Sequence, residues 1–184
     1  IHGTVDNVNV GVNYNSTTLY DNFSAPLDLS RWDWLEWIRE PDSGRLKANI
    51  QRVGTSNWVG TYAHARPLSQ YIEAKTMINS STVLSEASIA GARVQGHFYN
   101  TSRGPGSGTA YNGYADNVLA FIQIESVTNF ESMWVRARVA KSNDEGFNTY
   151  DVLGENYFMV PVSVDMDHTL SIRYIDSRLV FRCD

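Results

Sequence analysis

Apolar and polar residues alternate with period two along most of the chain, and no window of about 12 residues holds a 3.6-residue period. The alternation predicts strands near 18–23, 34–40, 44–52, 57–63, 68–78, 86–100, 117–127, 131–141, 148–152, 156–162, 168–175 and 178–183. The breaks carry turn chemistry: Pro41-Asp42-Ser43-Gly44, Asn79-Ser80-Ser81, the run Ser142 to Gly146, and Ile175-Asp176-Ser177. One short helix is predicted from Asp28 to Trp32. The longest break, from Ser102 to Gly113, is rich in glycine and of a length that functional loops have. About a dozen strands with almost no helix predict an all-β fold. Strands as long as 86–100 favour large curved sheets, hence a two-sheet antiparallel jelly-roll sandwich. Residues 1–16 are polar, with Val5, Val8, Val10 and Val12 interspersed, and read as an extended N-terminal arm; 17–184 reads as the sandwich domain.

The same alternation assigns strand faces. In 86–100, Arg93, Gln95, His97 and Tyr99 share one face, and Ala92, Val94 and Phe98 the other. In 117–127, Phe121, Gln123 and Glu125 oppose Val118, Ala120, Ile122 and Ile124. In 131–141, Trp134, Arg136 and Arg138 oppose Met133, Val135, Ala137 and Val139. Three neighbouring strands thus each show one apolar and one polar-aromatic face. Guanidinium forks, amides and flat rings are the groups that polyhydroxylated ligands need, for bidentate hydrogen bonds and for stacking. A solvated sheet face alternates in the same way, and Arg136 and Arg138 also read as cross-strand partners of Glu125. Trp37 and Arg39, in the aromatic run Trp32–Glu40, form a further candidate stacking platform. Burial of two or more of that run's tryptophans is the competing reading.

Composition narrows the function classes. The 184 residues carry 15 Lys and Arg against 20 Asp and Glu, a net charge of −5, which argues against nucleic-acid binding. No uncharged apolar run approaches the roughly 18 residues of a membrane-spanning helix. Low charge (19%) with high aromatic content (12%) suits a β-rich chain that meets neutral polar partners. The single cysteine, Cys183, can form no disulfide within these residues, and its expected partner is a cysteine beyond Asp184 or on a neighbouring chain. The start at Ile1 and the stop just after the apolar run 178–181 suggest a piece of a longer precursor.

Other chemistry is sparse. His2, His64, His97 and His168 lie in no nucleophile-elbow motif. Asp21, in the first core strand, and Asp176, near the last, are a candidate pair for a structural calcium ion, and Asp165 with Asp167 is a second. Of four Asn-x-Ser/Thr sequons, those at Asn79 and Asn100 fall at strand ends and are the expected glycosylation sites.

Two stretches carry a family resemblance. Asp21-Asn22-Phe23-Ser24, followed by Leu27-Asp28-Leu29-Ser30-Arg31-Trp32 and Gly44-Arg45-Leu46, resembles the opening of secreted concanavalin A-like jelly-roll domains, including laminarinase-like glycoside hydrolases. The run 90–100 with 117–124 is similar to uncharacterised bacterial secreted proteins of that fold. The resemblance spans about 17–184 and implies the fold. It does not bring the hydrolase chemistry, because the Glu-x-Asp-x-x-Glu strand that would set two carboxylates about 5 Å apart is missing, and Glu125 stands alone.

The expected function is therefore a non-catalytic, extracellular or surface-displayed module that binds a polysaccharide or glycan. One alternative is a filament or matrix subunit that self-associates by adding residues 1–16 to a neighbour's sheet edge. Another is a polysaccharide hydrolase or lyase with a non-standard site.

Overall fold

The computed structural model describes residues 2–11, 17–26, 28, 30, 32–33, 39–42, 45–49, 62–63, 70–79, 89–103, 115–127, 132–145, 148–158 and 162–184. These residues form strands and turns only: β1 (His2–Gly11), β2 (Thr17–Asp21), β3 (Trp32–Asp33), β4 (Arg39–Asp42), β5 (Arg45–Asn49), β6 (Tyr62–Ala63), β7 (Tyr71–Ile78), β8 (Ile89–Asn100), β9 (Asn117–Val127), β10 (Ser132–Ser142), β11 (Tyr150–Phe158), β12 (His168–Ile175) and β13 (Arg178–Cys183). Among them no helix is long and apolar enough to cross a membrane.

The protein is an all-β sandwich of two antiparallel sheets. One runs β13-β12-β7-β1-β5-β4, with β2 also paired to β1; the other is the meander β11-β10-β9-β8, and β3 with β6 makes a separate two-stranded ribbon. The chain crosses from the first sheet to the second between β7 and β8, and returns between β11 and β12. The core lies where β7 and β12 meet β8 and β9. Ala74, Ile78, Leu170 and Ile172 from one sheet pack against Val94, Phe98, Ala120, Ile122, Ile124 and Val135 from the other, with Phe23 beside them.

The turn chemistry explains several connections. Asp176 and Ser177 both have positive φ (49° and 60°), the backbone of a two-residue hairpin whose twist matches its strands. Between β10 and β11, the Asp144 carboxylate accepts from Asn148 N, Thr149 N and Thr149 Oγ1 at 2.7–2.9 Å, and this bonding, led by the Thr149 hydroxyl, lowers its pKa.

Three expectations change here. Residues 2–11 do not stand apart as an arm: β1 lies inside its own chain's sheet, bonded to β7 on one side and to β5 and β2 on the other. Ladder hydrogen bonds come from the main chain, so a polar strand can occupy an interior place. The described residues of the predicted helix 28–32 form a side-chain turn and a strand start instead: Asp28 Oδ1 accepts from Ser30 N and Oγ, and Trp32 opens β3. The two strands predicted at 148–152 and 156–162 are one strand, β11. Its pairing slips between Val139↔Gly154 and Ala140↔Val152, leaving Leu153 as an extra residue.

Candidate functional site

The register of the four-stranded sheet builds one ordered cluster on its solvent side. Arg93 pairs with Gln123, Gln95 with Phe121, Arg138 with Phe121, Arg136 with Gln123 and Trp134 with Glu125. On β11, Glu155 pairs with Arg138, and Tyr157 with Arg136. Alternation therefore places Arg93, Gln95, Gln123, Glu125, Trp134, Arg136 and Arg138 on one face, as the sequence predicts. His97, opposite Leu119, continues that face.

Phe121 sits at the centre, only 4% exposed although it points away from the core. Three guanidinium groups cover it: Arg93 at 4.0 Å from the ring centroid, Arg136 at 5.5 Å and Arg138 at 5.6 Å. Like charges crowd there because the ring face attracts each cation and two carboxylates separate them. Arg136 Nε donates to Glu155 Oε1 at 2.5 Å and its Nη1 to Glu125 Oε1 at 3.2 Å. Arg138 reaches the same Glu155 oxygen from Nε at 2.9 Å and Nη2 at 2.8 Å. Glu125, 4% exposed, also accepts from Gln123 Nε2 at 2.9 Å. Gln123 Oε1 in turn accepts from Arg93 Nε at 2.5 Å. The result is one chain of bonds, Arg93–Gln123–Glu125–Arg136–Glu155–Arg138. Gly91 makes room for it, since a Cβ at that position would stand 2.7 Å from Gln123 Nε2.

The titration behaviour follows from this packing. Burial lowers the Arg93 pKa and Arg136 lowers it further, while Glu125 opposes both. For Glu155, burial works upward, but hydrogen bonds from Arg136 and Arg138 overcome it and hold the carboxyl below its usual range. A carboxylate held this way cannot serve as a general acid near neutral pH. For Arg136, burial works downward and the hydrogen bonds to Glu155 and Glu125 raise the pKa. Burial lowers the pKa of His97.

Other candidates fall elsewhere. Tyr99 leaves the face because the β8–β9 register slips between His97 and Tyr99. It turns inward opposite Val118, and its ring lies 5.1 Å from that of Tyr174 on the other sheet; burial raises its pKa. Arg39 belongs to β4, at the far edge of the seven-stranded sheet, and so does not join the cluster. Trp37 lies outside the described residues, as do the glycine-rich run 104–114 and His64.

The calcium pair is not brought together. Asp21 ends β2 while Asp176 sits in the β12–β13 turn, with β1 and β7 between β2 and β12. Three strand spacings are roughly 14 Å, too far for carboxylates to share one ion. Asp167 instead holds Arg45 in a bidentate pair, both bonds 2.7 Å. Asp165 is exposed in the turn before β12. No group of three or more His, Cys, Asp or Glu among the described residues could hold a metal ion.

Asn100, the other expected glycan acceptor, has a fully buried side chain. Its Nδ2 donates to Ala115 O and Asn117 Oδ1, and its Oδ1 accepts from Ser102 N, Ser102 Oγ and Arg103 N. Asn79 is half-buried just after β7. Cys183 is a free thiol, half-buried at the edge of the core; burial, with Asp184 beside it, pushes its pKa up to about 11. Near neutral pH it is therefore protonated and a poor nucleophile.

Sequence reasoning passed over three members of the cluster: Phe121 as its centre, Glu155 and Tyr157. Phe121 was legible as a lone aromatic on a polar strand face. The two on β11 were hidden by the bulge at Leu153. No protein family, curated protein or solved structure matches the chain.

Proposed function

We propose that this protein is a non-catalytic carbohydrate-binding or adhesive module of a secreted or cell-surface protein, with the jelly-roll form of the sandwich. Its ligand lies across the solvent side of β8–β11. One observation carries the reading: guanidinium and amide groups are locked in fixed positions on an open sheet face between two reachable rings. Trp134 is half-buried beside Glu125, and Tyr157 is 50% exposed with Arg136 at 5.4 Å from its ring. Planar donors in fixed geometry suit vicinal hydroxyls, and flat rings suit the apolar face of a pyranose. The filament reading rested on a free arm, whereas β1 is bonded within its own sheet.

A glycan array tests this proposal. The wild-type chain is expected to give a signal that Trp134→Ala loses while keeping its melting temperature. Silence across all glycans would overturn the reading.

A further inference from the structure

Resting on that reading, the geometry points to a narrower ligand class: an acidic polysaccharide whose uronate carboxylate is taken by Arg93. Three arginines face two glutamates, leaving one positive charge in a chain of net charge −5. Arg136 and Arg138 are paired to Glu125 and Glu155. Arg93 has no ion pair among the described residues, and its hydrogen bonds go to neutral amide oxygens, Gln123 Oε1 at 2.5 Å and Gln95 Oε1 at 3.4 Å.

A guanidinium has five N–H donors, and these two bonds engage Nε and one hydrogen of Nη1. Both hydrogens of Nη2 and the second hydrogen of Nη1 remain for a carboxylate. That group is held ready: its central carbon stands over the Phe121 ring, 4.0 Å from the centroid, its Nε is fixed by Gln123, and Gln123 is fixed by Glu125. The side chain as a whole is exposed, while its charged end is desolvated enough to lower its pKa. A partly desolvated, preorganised fork binds a carboxylate more strongly than a free surface arginine would.

The number of charges selects the class. One open fork matches a chain with one carboxylate per sugar, whereas nucleic acid carries about one charge per 1.7 Å and needs several basic groups. At physiological salt, exposed charges more than ~8 Å apart are largely screened, so the charges nearest the ligand weigh most. Trp134 and Tyr157 supply the stacking surface for the uronate ring.

Isothermal titration of the full chain with polygalacturonate, its methyl-esterified form and a neutral glucan tests the inference. Polygalacturonate is expected to bind at least about tenfold more tightly than either uncharged polymer, as for one charge-assisted bidentate contact. Arg93→Gln should remove this preference, Arg93→Lys should restore only part of it, and both variants should keep the wild-type melting temperature. Esterification tests the point without altering the protein. Equal affinity for the acid and ester forms, or an unchanged preference in Arg93→Gln, would overturn the inference while leaving glycan binding in place. So would tighter binding to a sulfated glycan or to DNA. Failure to bind any glycan would overturn both.

Discussion

The four-stranded sheet holds two buried polar groups of residues that differ in kind. At one end, Asn100, Asn117 and Ser142 are fully buried and neutral. Midway along the outer face, Glu125, Gln123 and three arginines surround Phe121. Asn100 directs its bonds inward, tying Ser102, Arg103, Ala115 and Asn117 together so that the β8 and β9 ends are clamped. The arginine cluster is equally ordered yet leaves one fork without a carboxylate. Buried polarity alone therefore does not mark a binding site. An ordered donor with capacity left over on the solvent side does, because it can take a partner without first breaking a bond; the unpartnered Asn117 Nδ2 is fully buried, out of a ligand's reach.

The contrast is broken most severely at Asn100. Asn100→Ala would leave the Ser102 and Arg103 amides and the Ala115 carbonyl without this partner. A loss of about 3 kcal/mol is expected, which at this chain length lowers the melting temperature by roughly 6–12 °C. Calorimetry checks this, and glycan affinity measured well below the melting point should be unchanged. Arg93→Gln should do the reverse, leaving stability within about 1 kcal/mol of wild type while the preference for the acidic polymer is lost.

A smaller effect is expected from pH. Burial lowers the pKa of His97, so below about 6.5, the ordinary value, the unfolded chain takes up a proton that the folded chain resists. Stability should thus fall as pH drops from 7.5 to 5.5, and the fall should be shallower in His97→Gln; urea midpoints at the two pH values check it. Glu155 acts lower, below the usual carboxylate range, where the support of Arg136 and Arg138 is lost as it protonates. The smallest structural consequence concerns Cys183, which belongs to neither group. With a pKa of about 11, it should alkylate at pH 8 about a hundredfold more slowly in the native state than in urea.

How much of this was legible follows from the same physics. The sandwich and the faces of β8, β9 and β10 could be read because one side of each strand is core and the side-chain period is two. Arg93, Gln95, Gln123, Trp134, Arg136 and Arg138 therefore fall where the alternation puts them. Tyr99 was assigned to the wrong side, since a bulge adds one residue and reverses the assignment beyond it, and Glu155 and Tyr157 were missed because the bulged strand β11 reads as two short strands with no assigned faces. The place of β1 was hidden because main-chain pairing leaves no trace in a polar sequence. Asn100 looked like an exposed sequon, and only its neighbours Ala115 and Asn117, brought close by the hairpin, show it to be buried.

The central claim is that the solvent side of β8–β11 is a binding face whose open group is Arg93. The most direct measurement is an arginine side-chain N–H NMR spectrum recorded during titration with polygalacturonate. The Arg93 Nε–H resonance should shift most and in proportion to occupancy, those of Arg136 and Arg138 less, and the Arg45 resonance, paired to Asp167 elsewhere, not at all. A saturating titration that leaves Arg93 unmoved, or shifts Arg45 and Arg93 alike, would contradict it.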